Sequence, residues 1–188
     1  MTTQQLHLFN ALYLGFLVVA AILTRATARR ITGAIVAGVV IGIVLLGIVT
    51  LGERAGLWRM VITWEPYFLL LFMIGGAVGG FLYLITWRIA RRFGGRGLAV
   101  ATVVAAVIGP PRDYWYMAHF PEWGHYAPGI APVIAISVSY AVIVLLGHAV
   151  MRLVAGPARA DRLARGPWEV AAPSDVTHSS RDSASSEG

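Results

Sequence analysis

Long apolar runs separated by short polar breaks make up most of this chain. They fall at about residues 6–23, 31–51, 66–89, 97–119 and 129–150. A bilayer hydrocarbon core is about 30 Å thick and takes about 20 helical residues to cross. The pattern therefore predicts an all-α fold, a polytopic membrane protein built as a five-span helical bundle.

The fourth run departs from the others. Only thirteen apolar or small residues, 97–109, separate the basic run ending at Arg96 from Pro110. At 1.5 Å per residue they make a helix of roughly 20 Å, too short for the core. To span, the segment must continue through Pro110 and Pro111 and take Arg112 and Asp113 with it. The expectation is a Pro-kinked fourth helix with an ionisable pair at the kink, a pattern that marks functional sites in membrane proteins.

The breaks between runs carry charge unevenly. Arg25, Arg29 and Arg30 follow the first run, Arg88, Arg91, Arg92 and Arg96 the third, and Arg152, Arg159, Arg162 and Arg165 the fifth. The alternate breaks hold only Arg54, Arg59 and Arg112. The positive-inside rule then puts the N-terminus outside and the C-terminus in the cytoplasm of a multi-pass cell-membrane protein. Glu53, Glu65, Asp113 and Glu122 collect toward the outer side, with His7, Asn10, His119 and His125. The start, MTTQQLHLFN, has no basic run, so no cleaved signal peptide is expected.

Composition narrows the chemistry. The 188 residues are 57% hydrophobic and 13% charged, with net charge +6. All the basic residues are arginine at the ends of apolar runs, which fits anionic lipid headgroups and not nucleic acid. Without lysine or cysteine, Schiff-base, thiolate and disulfide chemistry are excluded. No phosphate loop, dinucleotide fingerprint, nucleophile elbow or covalent haem motif is present. The expected organisation is a transmembrane domain over residues 1–155, then a basic juxtamembrane segment and disordered cytoplasmic tail over 156–188.

Several residues are candidates for a site. Asp113 and Glu65 are the acid–base pair, since two carboxylates in a poorly solvated pocket divide acid and base roles. Arg112 orients Asp113 or an anionic headgroup. Tyr114, Tyr116, Trp64 and Trp123 would shape an aromatic entrance, and Asn10 lies on a polar face of the first run with His7 and Tyr13. Ser137 and Tyr140 can face the same interior. His119, Glu122 and His125 recur at three-residue intervals and are divalent-metal candidates, although Pro121 and Gly124 disrupt the helix such spacing normally uses. Bland readings stand beside these: an Arg112–Asp113 clamp between helices, Glu65 before Pro66 as a helix start, and the aromatic residues as an interfacial belt. Gly38 and Gly42, and Gly75, Gly76, Gly79 and Gly80, have the spacing for close helix packing. They serve the bundle interior or, alternatively, a homodimer or membrane-complex partner.

Trp64-Glu65 with Tyr67 nearby resembles the Trp-Glu-x-x-Tyr neighbourhood of small polytopic terpene cyclases. Here Tyr67 is two residues after Glu65 and Pro66 intervenes. The resemblance implies acid–base work on an apolar isoprenoid. The functional expectation is an outer-leaflet pocket that binds an apolar or amphiphilic molecule, with its transformation by acid–base chemistry left open. The alternatives are a non-catalytic subunit of a membrane complex, and a small-solute or ion carrier using Asp113.

Overall fold

A computed structural model describes residues 2–61 and 64–156. The expected cytoplasmic tail lies outside the described residues. The chain forms α1 (Thr3–Thr24), α2 (Ala28–Arg54), β1 (Trp58–Met60), α3 (Pro66–Gly79), α4 (Phe81–His119), β2 (Gly124–Tyr126) and α5 (Ala131–Ala155), with a short 3₁₀ turn at Pro121–Trp123. Four helical runs are long and apolar enough to cross a membrane: α1, α2, α5 and the stretch Pro66–His119. The protein is accordingly a mostly helical membrane protein.

Local sequence explains where the helices start and stop. Thr2 caps α1 in a reciprocal capping box with Gln5. Arg25 ends α1 in the left-handed region, at φ 49°. Glu65 is the N-cap of α3 with Pro66 directly after it, an arrangement favoured at helix starts, but its side chain makes no capping hydrogen bond.

The kink expected at Pro110–Pro111 is not where the backbone breaks. Within α4, non-helical dihedrals occur at Gly94, at φ 67° and ψ −152°, while both prolines lie inside the helix. Glycine reaches that conformation without steric cost. The chain folds back there. A Cβ built on Gly97 would lie 3.0 Å from Cγ2 of Ile89, eight residues earlier. In a straight helix those residues would be about 12 Å apart. Contacts with α5 agree: Tyr83 packs on Gly147, and Gly109 packs on Tyr140. Tyr140 and Gly147 lie about 10 Å apart along α5, whereas 83 and 109 would be about 39 Å apart on an unbroken helix. Residues 81–93 and 95–119 are thus two arms of a hairpin.

The core lies where α1, α2, the first arm of α4 and α5 meet. It holds Leu17, Ala20, Ala34, Ala37, Ile41, Tyr83, Leu84, Trp87 and Met151. Helices α2 and α3 approach through glycine. A Cβ on Gly38 would collide with the Gly76 carbonyl oxygen, and one on Gly80 with that of Ala34. Gly38, Gly76 and Gly80 thus serve packing inside the bundle, whereas nothing lies within 4 Å of a Cβ added at Gly79.

At one end of the bundle two loops pair. β1 and β2 run antiparallel in the register Trp58–Tyr126, Arg59–His125 and Met60–Gly124. Glu53 Oε1 accepts from the Met60 amide at 2.8 Å. Trp58 is buried against Gly52 and its indole donates to the Val49 carbonyl at 3.0 Å. On the same end, Gln5 Nε2 donates to Glu122 at 3.1 Å, and Trp123 Nε1 donates to Gln5 Oε1 at 2.9 Å. This small cap ties the start of α1 to the end of α4 and the start of α5.

Candidate functional site

Asp113 is the best-defined polar centre, and it is shared by α4 and α5. Arg112 donates to Asp113 Oδ1 from Nε at 3.1 Å and from Nη2 at 2.8 Å. Tyr140 of α5 supplies the third member. Its hydroxyl proton is shared between Asp113 Oδ1 at 2.9 Å and Oδ2 at 3.0 Å. The same hydroxyl oxygen accepts from Arg112 Nη2. The Arg112 guanidinium also faces the rings of Tyr140, at 5.3 Å, and Tyr116, at 5.6 Å. Gly109 makes this closure feasible, because a side chain there would collide with the Tyr140 ring.

The triad is closed on itself. Asp113 has both oxygens engaged and is 20% exposed, while Arg112 is 47% exposed. A lone Arg or Asp near the centre of a spanning helix costs about 2.5–3.5 kcal/mol, and pairing of this kind offsets such a cost.

Beside the triad lies an open cleft. It has a volume of about 530 Å³ and is lined by Pro110, Pro111, Tyr114, Tyr126, Pro128 and Val133, among others. The two prolines lack the amide hydrogens that would bond the carbonyls of Ala106 and Val107. Tyr114 and Tyr126 stack at 4.6 Å and form one wall. Burial first, and then the Asp113 charge, push the Tyr126 phenol above its ordinary pKa, so it stays a neutral donor. A second hollow, about 460 Å³, lies at the loop ribbon between Glu53, Trp58, Arg59 and His125.

The remaining sequence candidates separate from this centre. Tyr116 and Trp123 join an aromatic stack with Phe9 and Phe120, with Trp123 and Phe120 nearly parallel at 4.5 Å. Asn10 bridges α1 to α3, donating to the Leu71 carbonyl at 2.9 Å. Glu65 and Trp64 are exposed at the start of α3, and neither hydrogen-bonds to Asp113. His7 pairs with Tyr67 at 2.9 Å.

The metal expectation requires correction. Among the described residues no group of three His, Cys, Asp or Glu side chains could hold a metal ion. His119 Nδ1 bonds the Trp115 carbonyl at 2.8 Å, Glu122 accepts from Gln5, and His125 sits on β2 opposite Arg59. The helix ends before Pro121, so the three-residue spacing no longer aligns the side chains.

Sequence reading put Tyr140 on an interior face without finding its carboxylate. The signal was there in part: Gly109 supplies the gap and Asp113 lies one helical turn further along the arm. No protein-family model, curated protein or solved structure matches this chain.

Proposed function

We propose that this is a five-span cell-membrane protein, N-terminus outside and C-terminus inside, that binds an apolar or amphiphilic molecule at its outer leaflet. The observation that carries the binding reading is the cleft floored by Pro110 and Pro111 and walled by the Tyr114–Tyr126 stack. Such a surface suits a lipid or isoprenoid chain, and the adjoining Arg112 suits its headgroup. The five-span reading is supported by the reversal at Gly94: residues 66–93 and 95–119 would each extend about 37–42 Å, enough for the core.

Binding has better support than transformation. A catalytic Asp113 would have to exchange Tyr140 for substrate, and Glu65 makes no contact with it. The same saturation favours a second reading, in which the Arg112–Asp113–Tyr140 triad is a clamp and the protein is a non-catalytic subunit. An ion carrier would need Asp113 open to both sides, for which no observation speaks.

The test is native mass spectrometry of the full chain in mild detergent, comparing wild type with Val133→Trp and Asp113→Asn. Val133→Trp fills the cleft away from the triad. A retained amphiphile that disappears in Val133→Trp is the expected result. Equal retention in both variants would remove the cleft from the proposal. A stoichiometric protein partner with no small molecule would move the assignment to the subunit.

A further inference from the structure

The opposite end of the bundle holds a pair of arginines on one indole. Arg30, in the first turn of α2, places its guanidinium carbon 4.0 Å from the Trp87 ring centroid. Arg91, one turn after Trp87 on α4, lies 5.5 Å from the same centroid. Trp87 itself is 3% exposed and belongs to the core. Two cations are therefore fixed against one rigid ring by two different elements. The ring quadrupole attracts each of them, but it does not cancel their mutual repulsion.

No described carboxylate does so either. Glu53 is at the far end of α2, about 35 Å along the helix from Arg30. Asp113 is held by Arg112, Glu122 by Gln5, and Glu65 stands at the start of α3. Arg29, Arg88 and Arg92 add positive charge nearby in sequence.

We propose that Arg30 and Arg91 form a site for the phosphate of an acidic phospholipid headgroup. Guanidinium forks match phosphate oxygens bidentately. Two of them on different elements can grip one phosphodiester from two directions, while the apolar exteriors of α2 and α4 receive the acyl chains. The anionic charge relieves the repulsion that the fold builds in. This site is independent of the outer cleft.

The test uses the delipidated full chain in mild detergent with equal amounts of phosphatidylglycerol and phosphatidylcholine, read by native mass spectrometry. Wild type is expected to retain phosphatidylglycerol preferentially, and Arg30→Gln or Arg91→Gln to weaken that preference about tenfold, the size of one charged hydrogen-bond pair. Arg92→Gln removes an equal charge but leaves Trp87 untouched, and is expected to retain the lipid. Arg30→Lys keeps a cation over Trp87 should Arg30→Gln fail to fold, and is expected to lose most of the preference because ammonium offers no fork. Unchanged retention in Arg91→Gln and Arg30→Lys would overturn the site. So would an equal loss in Arg92→Gln, which would reduce the effect to overall charge. A wild type with no preference would overturn it too. Added inorganic phosphate is expected to leave the lipid count unchanged; displacement of the lipid would replace it with a free anion.

Discussion

The Tyr140 hydroxyl is the one polar link between Asp113 and α5, and its removal is a direct test of the triad. Tyr140→Phe keeps the ring against Gly109 and deletes the bonds to Asp113 and Arg112. Interhelical hydrogen bonds in membranes contribute about 0.6 kcal/mol on average and up to about 1.7. The expected loss is in that range, measured as a shift of the unfolding midpoint in mixed micelles. Asp113→Asn is expected to cost more, because the Arg112 charge is left behind. Its cost should fall between the roughly 1 kcal/mol of an exposed pair and the roughly 3–5 kcal/mol of a broken buried one. Adding Arg112→Gln should restore part of it, since contacting residues are coupled. At the cap formed by the loop ribbon, the Gln5 amide donating to Glu122 holds that carboxyl below its ordinary pKa. The sign follows: the contact is fully present above the ordinary carboxylate pKa and is lost as pH falls through the depressed one. The Trp123 indole proton, which shares Gln5, should shift in NMR only in that acidic window, and Gln5→Ala should move the Glu122 titration back up. Sequence located Arg112 and Asp113 through the cost of charge in an apolar run. It did not pair Asp113 with Tyr140, because the register between two helices has no trace in either helix alone.

Glycine decides the geometry between elements, in three distinguishable ways. At Gly38 the missing side chain allows backbone contact with Gly76. Gly38→Ala forces a methyl group against that carbonyl and should destabilise by about 1–3 kcal/mol or more, the usual cost of overpacking. At Gly94 the requirement is conformational. Its φ of 67° with ψ near −152° belongs to a region open almost only to glycine, so Gly94→Ala should cost about 1–3 kcal/mol. At Gly47 nothing lies within 4 Å of an added Cβ. Gly47→Ala should therefore stabilise by about 0.5–1 kcal/mol through helix propensity alone. Unfolding midpoints of the three variants separate these mechanisms, and a loss at Gly47 would point to an undetected contact. The spacing of Gly38 and Gly42 made close packing legible from sequence. The reversal at Gly94 was less so: Pro110 and Pro111 carried the stronger helix-breaking signal, yet a helix bordering a cleft tolerates two missing amide donors better than a tight turn tolerates a side chain. The ribbon of β1 and β2 was missed, since three residues each give no periodicity to read.

Across the described residues, polar side chains outside the Arg112–Asp113–Tyr140 triad gather mainly at two ends. Glu53, Glu65, Glu122, His7, His119 and His125 gather at the loop ribbon and the helix ends around it. Arg25, Arg29, Arg30, Arg91 and Arg96 gather where α1 ends, α2 begins and the α4 hairpin turns. The hairpin makes this division possible. With a straight α4, Arg96 and Asp113 would lie in one continuous helix and the basic loop would have no counterpart on the other arm. Folding back at Gly94 brings Arg88, Arg91, Arg92 and Arg96 to a single turn on the side of Arg29 and Arg30. Such an asymmetry sets orientation, because arginine near a span resists translocation while acidic residues have little effect. A reporter inserted at Gly94 should accordingly report cytoplasm and one at Pro121 the outside. Replacing Arg91, Arg92 and Arg96 with glutamine should weaken that bias and yield molecules of mixed orientation. If Gly94 and Pro121 report the same side, residues 95–119 do not cross the membrane, and the Pro110–Pro111 cleft lies in a re-entrant arm. If they report opposite sides with Gly94 outside, the arginine pair on Trp87 faces the outer leaflet, and the lipid composition of that leaflet becomes the one to supply its phosphate.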